Sequence, residues 1–226
     1  MDSVSFNLLA SDEGAPPAAA DASSGRAWRV LHAAAFLEGG LTFIAGTLVL
    51  YWPQSALLAA LSAALYTAGS LGFLAVDVQE FFTFTSERPL RANIALSACG
   101  SLLYVVGSAG FFPAAEAVAP AVGVWGFLLG SALIFVSQCM KLARISGGGG
   151  CSGLCASRGA ATAALVEGGA GLGALLFLLG TAVYAAPAGQ EASGAATVLA
   201  LWVGGSVAFT VGGLALAYRH FVMGVS

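Results

Sequence analysis

Two carboxylates lie inside segments that are otherwise apolar. Glu38 occurs in AFLEGG and Glu167 in ALVEGG, and the similar wording indicates related roles. An ionised carboxylate in an apolar medium is costly, and in a membrane segment it marks a functional site by default. We therefore treat Glu38 and Glu167 as a candidate proton or cation site. The alternative for each is a protonated carboxyl that is hydrogen-bonded to a neighbouring helix.

Opposite charges recur at the ends of two apolar segments. Asp77 and Glu80 lie in DVQEFF, and Lys141 ends a later segment. Glu80 and Lys141 each follow the glycine of a Gly–Ser pair by 11 residues. Carboxylates at the carboxyl end of a helix oppose its dipole and require cations. This register predicts an ion pair between Glu80 and Lys141, with Arg88 and Arg91 as the alternative partners.

The histidines and cysteines have simpler expected roles. His32 and His220 are expected at the membrane interface, with pH sensing as the alternative for His32. Cys151 and Cys155 form CSGLC in a Gly-rich loop, where they are unmodified exposed thiols or, alternatively, palmitoylated. Structural zinc requires four ligands and a reducing cytosol disfavours a disulfide, so we expect no metal and no cofactor. Cys99 and Cys139 are expected to be small packing residues.

The composition requires a membrane around these residues. Of 226 residues, 58% are hydrophobic and only 8% are charged, and the mean hydropathy is +0.89. In soluble domains about a quarter of the residues are charged. The apolar segments that reach the length of about 20 residues needed to cross a bilayer are 30–52, 55–78, 92–112, 119–142, 160–185 and 195–222. Residues 1–26 are acidic and rich in Ala, Ser and Pro, which predicts a disordered tail.

The distribution of basic residues predicts the orientation. All eight Lys and Arg residues fall on one side of a six-helix arrangement, and the opposite loops have none. Because Lys and Arg accumulate in short cytoplasmic loops, both termini are expected in the cytoplasm.

A glycine followed by a hydroxyl residue recurs in every apolar segment, and the third segment has an additional copy at Gly100-Ser101. These Gly–hydroxyl pairs are Gly46-Thr47, Gly69-Ser70, Gly107-Ser108, Gly130-Ser131, Gly180-Thr181 and Gly205-Ser206. Their glycines are separated by 23, 23 and 25 residues within successive segment pairs. The spacing predicts an all-α membrane bundle of six helices, built from tandem helical hairpins at about 30–78, 92–142 and 160–222. The whole membrane domain spans 27–223, with a Gly- and Cys-rich cytoplasmic loop at 146–159.

The Gly–hydroxyl pairs have an expected role in helix packing. In lipid, the hydrophobic effect does not bring helices together. Such helices are held together by small residues, which permit close approach, and by hydroxyl groups, which form hydrogen bonds.

A family resemblance accompanies this pattern. The segment NIALSACGSLLYVVGSAGFFPAAEAVAPAVGVWGFLLGSALIFVSQCMKLARI, residues 93–145, resembles the YrhK-like domain, a two-helix membrane unit with a Gly–Ser–aromatic pattern and a basic end. The flanking segments resemble diverged copies of it. The first segment, GGLTFIAGTLVLYWP, also resembles the HdeD-type membrane proteins with three hairpins. The YrhK resemblance implies the membrane fold and carries no catalytic residue or ligand with it.

Several classes of function lack their sequence signals. There is no Gly-rich nucleotide loop, no metal-spaced histidine cluster, no Ser–His–Asp set, and no basic stretch suited to nucleic acid. We therefore expect a multi-pass membrane protein that is not an enzyme and that has a structural, assembly or regulatory role through helix packing. The alternative is a small proton- or cation-coupled transporter or channel using Glu38. Its expected partners are the lipid bilayer and either a second copy or another membrane protein.

Overall fold

The fold is a bundle of six long helices. The computed structural model describes residues 25–84 and 88–224. The long helices are α1 (Arg26–Val49), α2 (Ala56–Thr83), α3 (Arg88–Gly110), α4 (Ala121–Ser146), α5 (Arg158–Ala185) and α6 (Ala192–Phe221). Two short helices, Pro113–Glu116 and Gly150–Leu154, and one 3-10 turn, Pro187–Gln190, lie in the connections. The described residues contain no strand, which confirms the all-α class. Most of the predicted tail, residues 1–24, lies outside the described residues.

Local sequence signals set several helix ends. Ser55 and Ser157 precede α2 and α5, and each hydroxyl accepts a hydrogen bond from a backbone N–H of the first turn. Gly147 ends α4 with a left-handed φ of 54°, which glycine adopts without a Cβ penalty. Helix α2 runs five residues beyond the predicted end at Val78, because its last charged residues find partners inside the bundle.

The six helices form a closed ring. Each long helix packs against the next one in the sequence, and α6 returns to pack against α1. Within the described ranges, no other pair of long helices brings its backbones together. The ring thus has contacts between the predicted hairpins as well as within them, and the division into three hairpins stays a prediction.

The outer surface of the ring is apolar. Large hydrophobic side chains are exposed along every long helix, among them Leu41, Leu71, Leu129, Leu172 and Leu214. All six helices are long and apolar enough to cross a membrane, with mean hydropathies of 1.3 to 1.8. Helices satisfy their own backbone hydrogen bonds and so tolerate lipid on this face. The protein is a multi-pass integral membrane protein.

Aromatic side chains fill the interior of the ring. In every long helix an aromatic residue stands three positions before the glycine of the Gly–hydroxyl pair, and all of these rings are buried: Phe43, Tyr66, Tyr104, Phe127, Phe177 and Trp202. Neighbouring rings lie 4.8–6.4 Å apart between centroids, in edge-to-face, stacked and tilted arrangements. We call these six residues the aromatic layer. The Gly–hydroxyl repeat predicts helix packing. The aromatic layer was not predicted, although its residues stand at a fixed position three residues before each glycine.

The glycines of the repeat make room for these rings. A Cβ on Gly130 would meet the ring of Tyr104, and a Cβ on Gly205 would meet the ring of Phe177, both at 2.7 Å. The other paired helices repeat the contact, with Phe43 against Gly69. A Cβ in these places would displace an aromatic side chain of the neighbouring helix.

The hydroxyls of the repeat are buried, and four of the six bond to a neighbouring helix. Thr47 pairs with the Tyr66 hydroxyl at 2.5 Å, and Ser131 with the Tyr104 hydroxyl at 2.8 Å. The hydroxyls of Ser70 and Ser108 lie 3.0 Å apart and join α2 to α3. Ser206 instead donates to a carbonyl of its own helix. The hydroxyls therefore tie helices together at the depth of the aromatic layer.

The fold predicts that two glycines of the bundle respond differently to alanine. A Cβ on Gly126 would lie 2.5 Å from Cα of Gly107, whereas the nearest atoms to a Cβ on Gly46 are at 3.4 Å. We expect Gly126→Ala to lower the free energy of unfolding by about 1–3 kcal/mol through overpacking. Gly46→Ala should leave it unchanged or raise it by up to about 1 kcal/mol, since alanine favours helix. Reversible unfolding in mixed micelles measures both, and equal effects would contradict the packing described here.

Candidate functional site

A cavity opens at one end of the ring, where α1, α3 and α5 begin and α2, α4 and α6 end. Its volume is about 200 Å³ and all six helices line it. We call it the vestibule. Its wall carries both signs of charge, from Asp77, Glu80, Glu167, Lys141, Arg144 and Arg219. Deeper in, the wall is apolar, with Phe36, Phe73 and Phe209 next to the aromatic layer.

A continuous chain of polar contacts crosses the vestibule. His220 Nε2 lies 3.0 Å from His32 Nδ1, and His32 Nε2 lies 3.4 Å from Glu80 Oε1. Lys141 Nζ lies 3.2 Å from Glu80 Oε2 and 3.4 Å from Glu167 Oε2. We call these five residues the polar chain. It joins α6, α1, α2, α4 and α5 in that order.

Lys141 holds the centre of the polar chain. The structure brings it to Glu80, the partner that the register predicts, and also to Glu167. The side chains of Lys141, Glu80 and Glu167 are 12%, 16% and 16% exposed, so water screens them little. Breaking such a pair leaves an uncompensated buried charge, which is strongly destabilising. One ammonium group therefore serves two carboxylates on different helices.

The two histidines are buried between helices at the vestibule end of the bundle, and their interfacial depth stays a prediction. His32 and His220 are each 3% exposed and share a hydrogen bond. The Trp28 indole stacks on His32 at a centroid distance of 4.5 Å and donates from Nε1 to Thr83 Oγ1. Arg29 donates to the backbone oxygen of His220. The sequence gives no sign of this pairing, because the histidines stand 188 positions apart.

Asp77 connects α3 to the charged wall of the vestibule. It is 5% exposed and accepts a 2.5 Å hydrogen bond from the Ser101 hydroxyl. Ser101 belongs to an additional Gly–Ser copy in α3, next to Gly100. The predicted alternative partner Arg91 instead lies over the ring of Phe81 at 4.6 Å. All six helices thus contribute to one polar region.

Glu38 and Glu167 do not share a site. Glu167 belongs to the polar chain, whereas Glu38 is half-buried between α1 and α2 and does not line the vestibule. Oε2 of Glu38 lies where a Cβ on Gly72 would sit. The carboxyl of Glu38 thus lies against Gly72 of α2, and both interpretations of this residue stay predictions.

The cysteines are all exposed. Cys151 lies in the short helix Gly150–Leu154, and Cys155 directly follows it. The sequence predicts a loop at this place. Cys99 and Cys139 lie on outward faces of α3 and α4 rather than in helix contacts. Among residues 25–84 and 88–224, no three His, Cys, Asp or Glu side chains are grouped so as to hold a metal ion.

A second cavity lies at the opposite end of the ring. Its volume is about 150 Å³, and Glu116, Tyr184 and Ser62 border it. Tyr66, Phe127 and Trp202 of the aromatic layer form its inner wall. The aromatic layer therefore separates two cavities that open at opposite ends.

One of three comparisons with known proteins finds a match for part of the chain. Residues 91–145 match the family model described as YrhK-like protein, which confirms the resemblance of this segment. The match covers about a quarter of the chain, nearly all of α3 and α4. Within the polar chain, only Lys141 falls inside it. No curated protein and no solved structure matches the chain.

The polar chain predicts energetic coupling between Glu80 and Lys141. Lys141→Met should lower the free energy of unfolding by about 3–5 kcal/mol, because it strands two buried carboxylates. Adding Glu80→Gln should recover part of the loss, giving a coupling of about 0.5–3 kcal/mol in the double-mutant cycle. Arg158→Met, at an exposed residue, is the matched control and should stay within about 0.5 kcal/mol of the native protein. Additive effects of the two substitutions would contradict the ion pair.

Proposed function

We propose that this protein is a non-enzymatic membrane protein that works as a closed helical bundle in a structural, assembly or regulatory role. The observation that carries the proposal is the aromatic layer. Phe43, Tyr104, Phe127 and Phe177 are at most 1% exposed and fill the middle of the ring. Ions and solutes have no open path past them.

The polar chain supports a regulatory form of this role. It joins five helices at one end of the ring through side chains that neutralise one another. A change in any one contact alters the balance of charge for the others, because the pairs share Lys141 and Glu80. The packing of the helix ends therefore depends on the state of the vestibule. Apolar outer faces offer the surface on which lipid, a second copy or another membrane protein binds.

A second candidate is a small proton- or cation-coupled carrier. The observation that favours it is Lys141 between Glu80 and Glu167 inside a cavity, since ionisable residues in membrane segments mark ion pathways. Glu38, the residue first considered for this role, lies outside the vestibule. Transport would also require the aromatic layer to open toward the second cavity.

The proposed orientation places the vestibule and both termini on the cytoplasmic side. It rests on the Lys and Arg residues, which gather at the vestibule end. Cys151 and Cys155 are exposed at that end. A membrane-impermeant maleimide should leave them unlabelled in intact cells and label them after permeabilisation, and labelling in intact cells would contradict the orientation.

Flux measurements in proteoliposomes test the proposed function. Native protein, Glu38→Gln and Glu167→Gln are reconstituted after each is shown to be folded and monodisperse. We expect no proton or cation flux from any of them above that of empty liposomes, because the aromatic layer closes the ring.

Flux from the native protein would overturn the closed-bundle proposal. Loss of that flux in Glu167→Gln but not in Glu38→Gln would assign it to the polar chain. Loss in Glu38→Gln alone would assign it to the contact between α1 and α2.

A further inference from the structure

Two of the buried polar atoms in the wall of the vestibule have no hydrogen-bond partner among the described residues. One is Oε1 of Gln138, whose residue is 5% exposed and lies on α4 one turn before Lys141. The other is Nε of Arg219 on α6. Buried polar atoms in native proteins are hydrogen-bonded to protein, water or ligand. The Gln138 oxygen requires a donor and the Arg219 nitrogen requires an acceptor.

The rest of the wall is suited to an apolar group. Beyond the charged residues the vestibule is bordered by hydrophobic side chains from all six long helices, among them Phe36, Phe73, Ile94, Ile134, Val166 and Phe209. This surface does little to stabilise water molecules. Transfer of an apolar group from water to it is favourable in free energy. The vestibule thus has a charged half and an apolar half.

The charges on the wall balance. Among the described residues, the carboxylates Asp77, Glu80 and Glu167 are matched in number by the Lys and Arg residues of the wall, Lys141, Arg144 and Arg219. A solute with net charge would upset this balance in a poorly screened place. A solute that carries one charge of each sign would preserve it.

The size of the vestibule limits the solute. About 200 Å³ corresponds to roughly seven water molecules at about 30 Å³ each. This room is below the range of about 300–1,000 Å³ that is common for larger ligands. It suits a molecule of the size of a small amino acid.

We propose that the vestibule binds a small zwitterion with an apolar body, the chemical class of the aliphatic α-amino acids. Its ammonium group donates to Gln138 Oε1. Its carboxylate accepts from Arg219 Nε. Its side chain lies against the apolar wall near Phe73 and Phe209. This site is additional to the closed-bundle role. Its ligand would be the signal to which a regulatory bundle responds.

Equilibrium binding of radiolabelled L-leucine to the full-length protein in lipid nanodiscs tests this site. Three unlabelled competitors each remove one feature: 4-methylpentanoate lacks the ammonium group, 3-methylbutylamine lacks the carboxylate, and glycine lacks the apolar body. We expect saturable leucine binding and at least about tenfold weaker competition by each analogue, because each loses a charge-assisted hydrogen bond or the buried side chain. Binding is measured without a gradient, so its result is independent of the flux test.

Two variants localise the site. Gln138→Leu and Arg219→Gln should each weaken leucine binding about tenfold or more, whereas Glu38→Gln, outside the vestibule, should bind as the native protein does. Absence of saturable binding by native protein would mean that the vestibule holds water only and would overturn the proposal. Equal competition by the single-charge analogues, or unchanged binding by Gln138→Leu, would overturn it as well. The analogue series uses native protein, so it decides even if a variant fails to fold.

Discussion

The contact between a glycine on one helix and an aromatic ring on the next is the interaction on which this bundle depends. It occurs between Gly130 and Tyr104 and recurs in the other helix pairs. Helices in lipid associate through close packing rather than through a hydrophobic drive. The absence of a Cβ lets the rings reach the middle of the ring of helices, where they pack at centroid distances of 4.8–6.4 Å. The position of the aromatic layer in the bundle follows from this one pairing.

The aromatic layer also decides where polar groups can lie. It fills the middle of the ring, so that the charged side chains are gathered at the vestibule end and neutralise one another there. Lys141 serves Glu80 and Glu167, and His32 connects Glu80 to His220. The same end carries the unsatisfied atoms of Gln138 and Arg219. The closed centre of the ring and the polar end, where some buried atoms lack hydrogen bonds, are therefore both consequences of the aromatic layer.

Much of this arrangement could be predicted from the sequence. Composition and segment length predict six helices, and counting from the repeated glycine places Glu80 beside Lys141. The same counting places Glu38, eight residues before its glycine, level with Cys99 and Leu172. Both of these residues are exposed on the outer surface. Glu38, at the same level, is accordingly only half-buried. The histidine pair and the Asp77–Ser101 bond could not be predicted, because each depends on which helices become neighbours when α6 closes onto α1 or α2 lies against α3.

The ring closes through the contact between α1 and α6, and disulfide cross-linking detects this contact in the membrane. Leu37 Cδ2 lies 3.0 Å from the place of a Cβ on Gly213. The substitutions Leu37→Cys and Gly213→Cys are introduced into a chain whose four native cysteines are replaced by serine, and the loop between α4 and α5 is cut after oxidation. We expect the two fragments to stay joined within one chain, whereas Leu37→Cys with Leu172→Cys leaves them separate. Separate fragments from the first pair, or joining only between chains, would contradict the contact between α1 and α6.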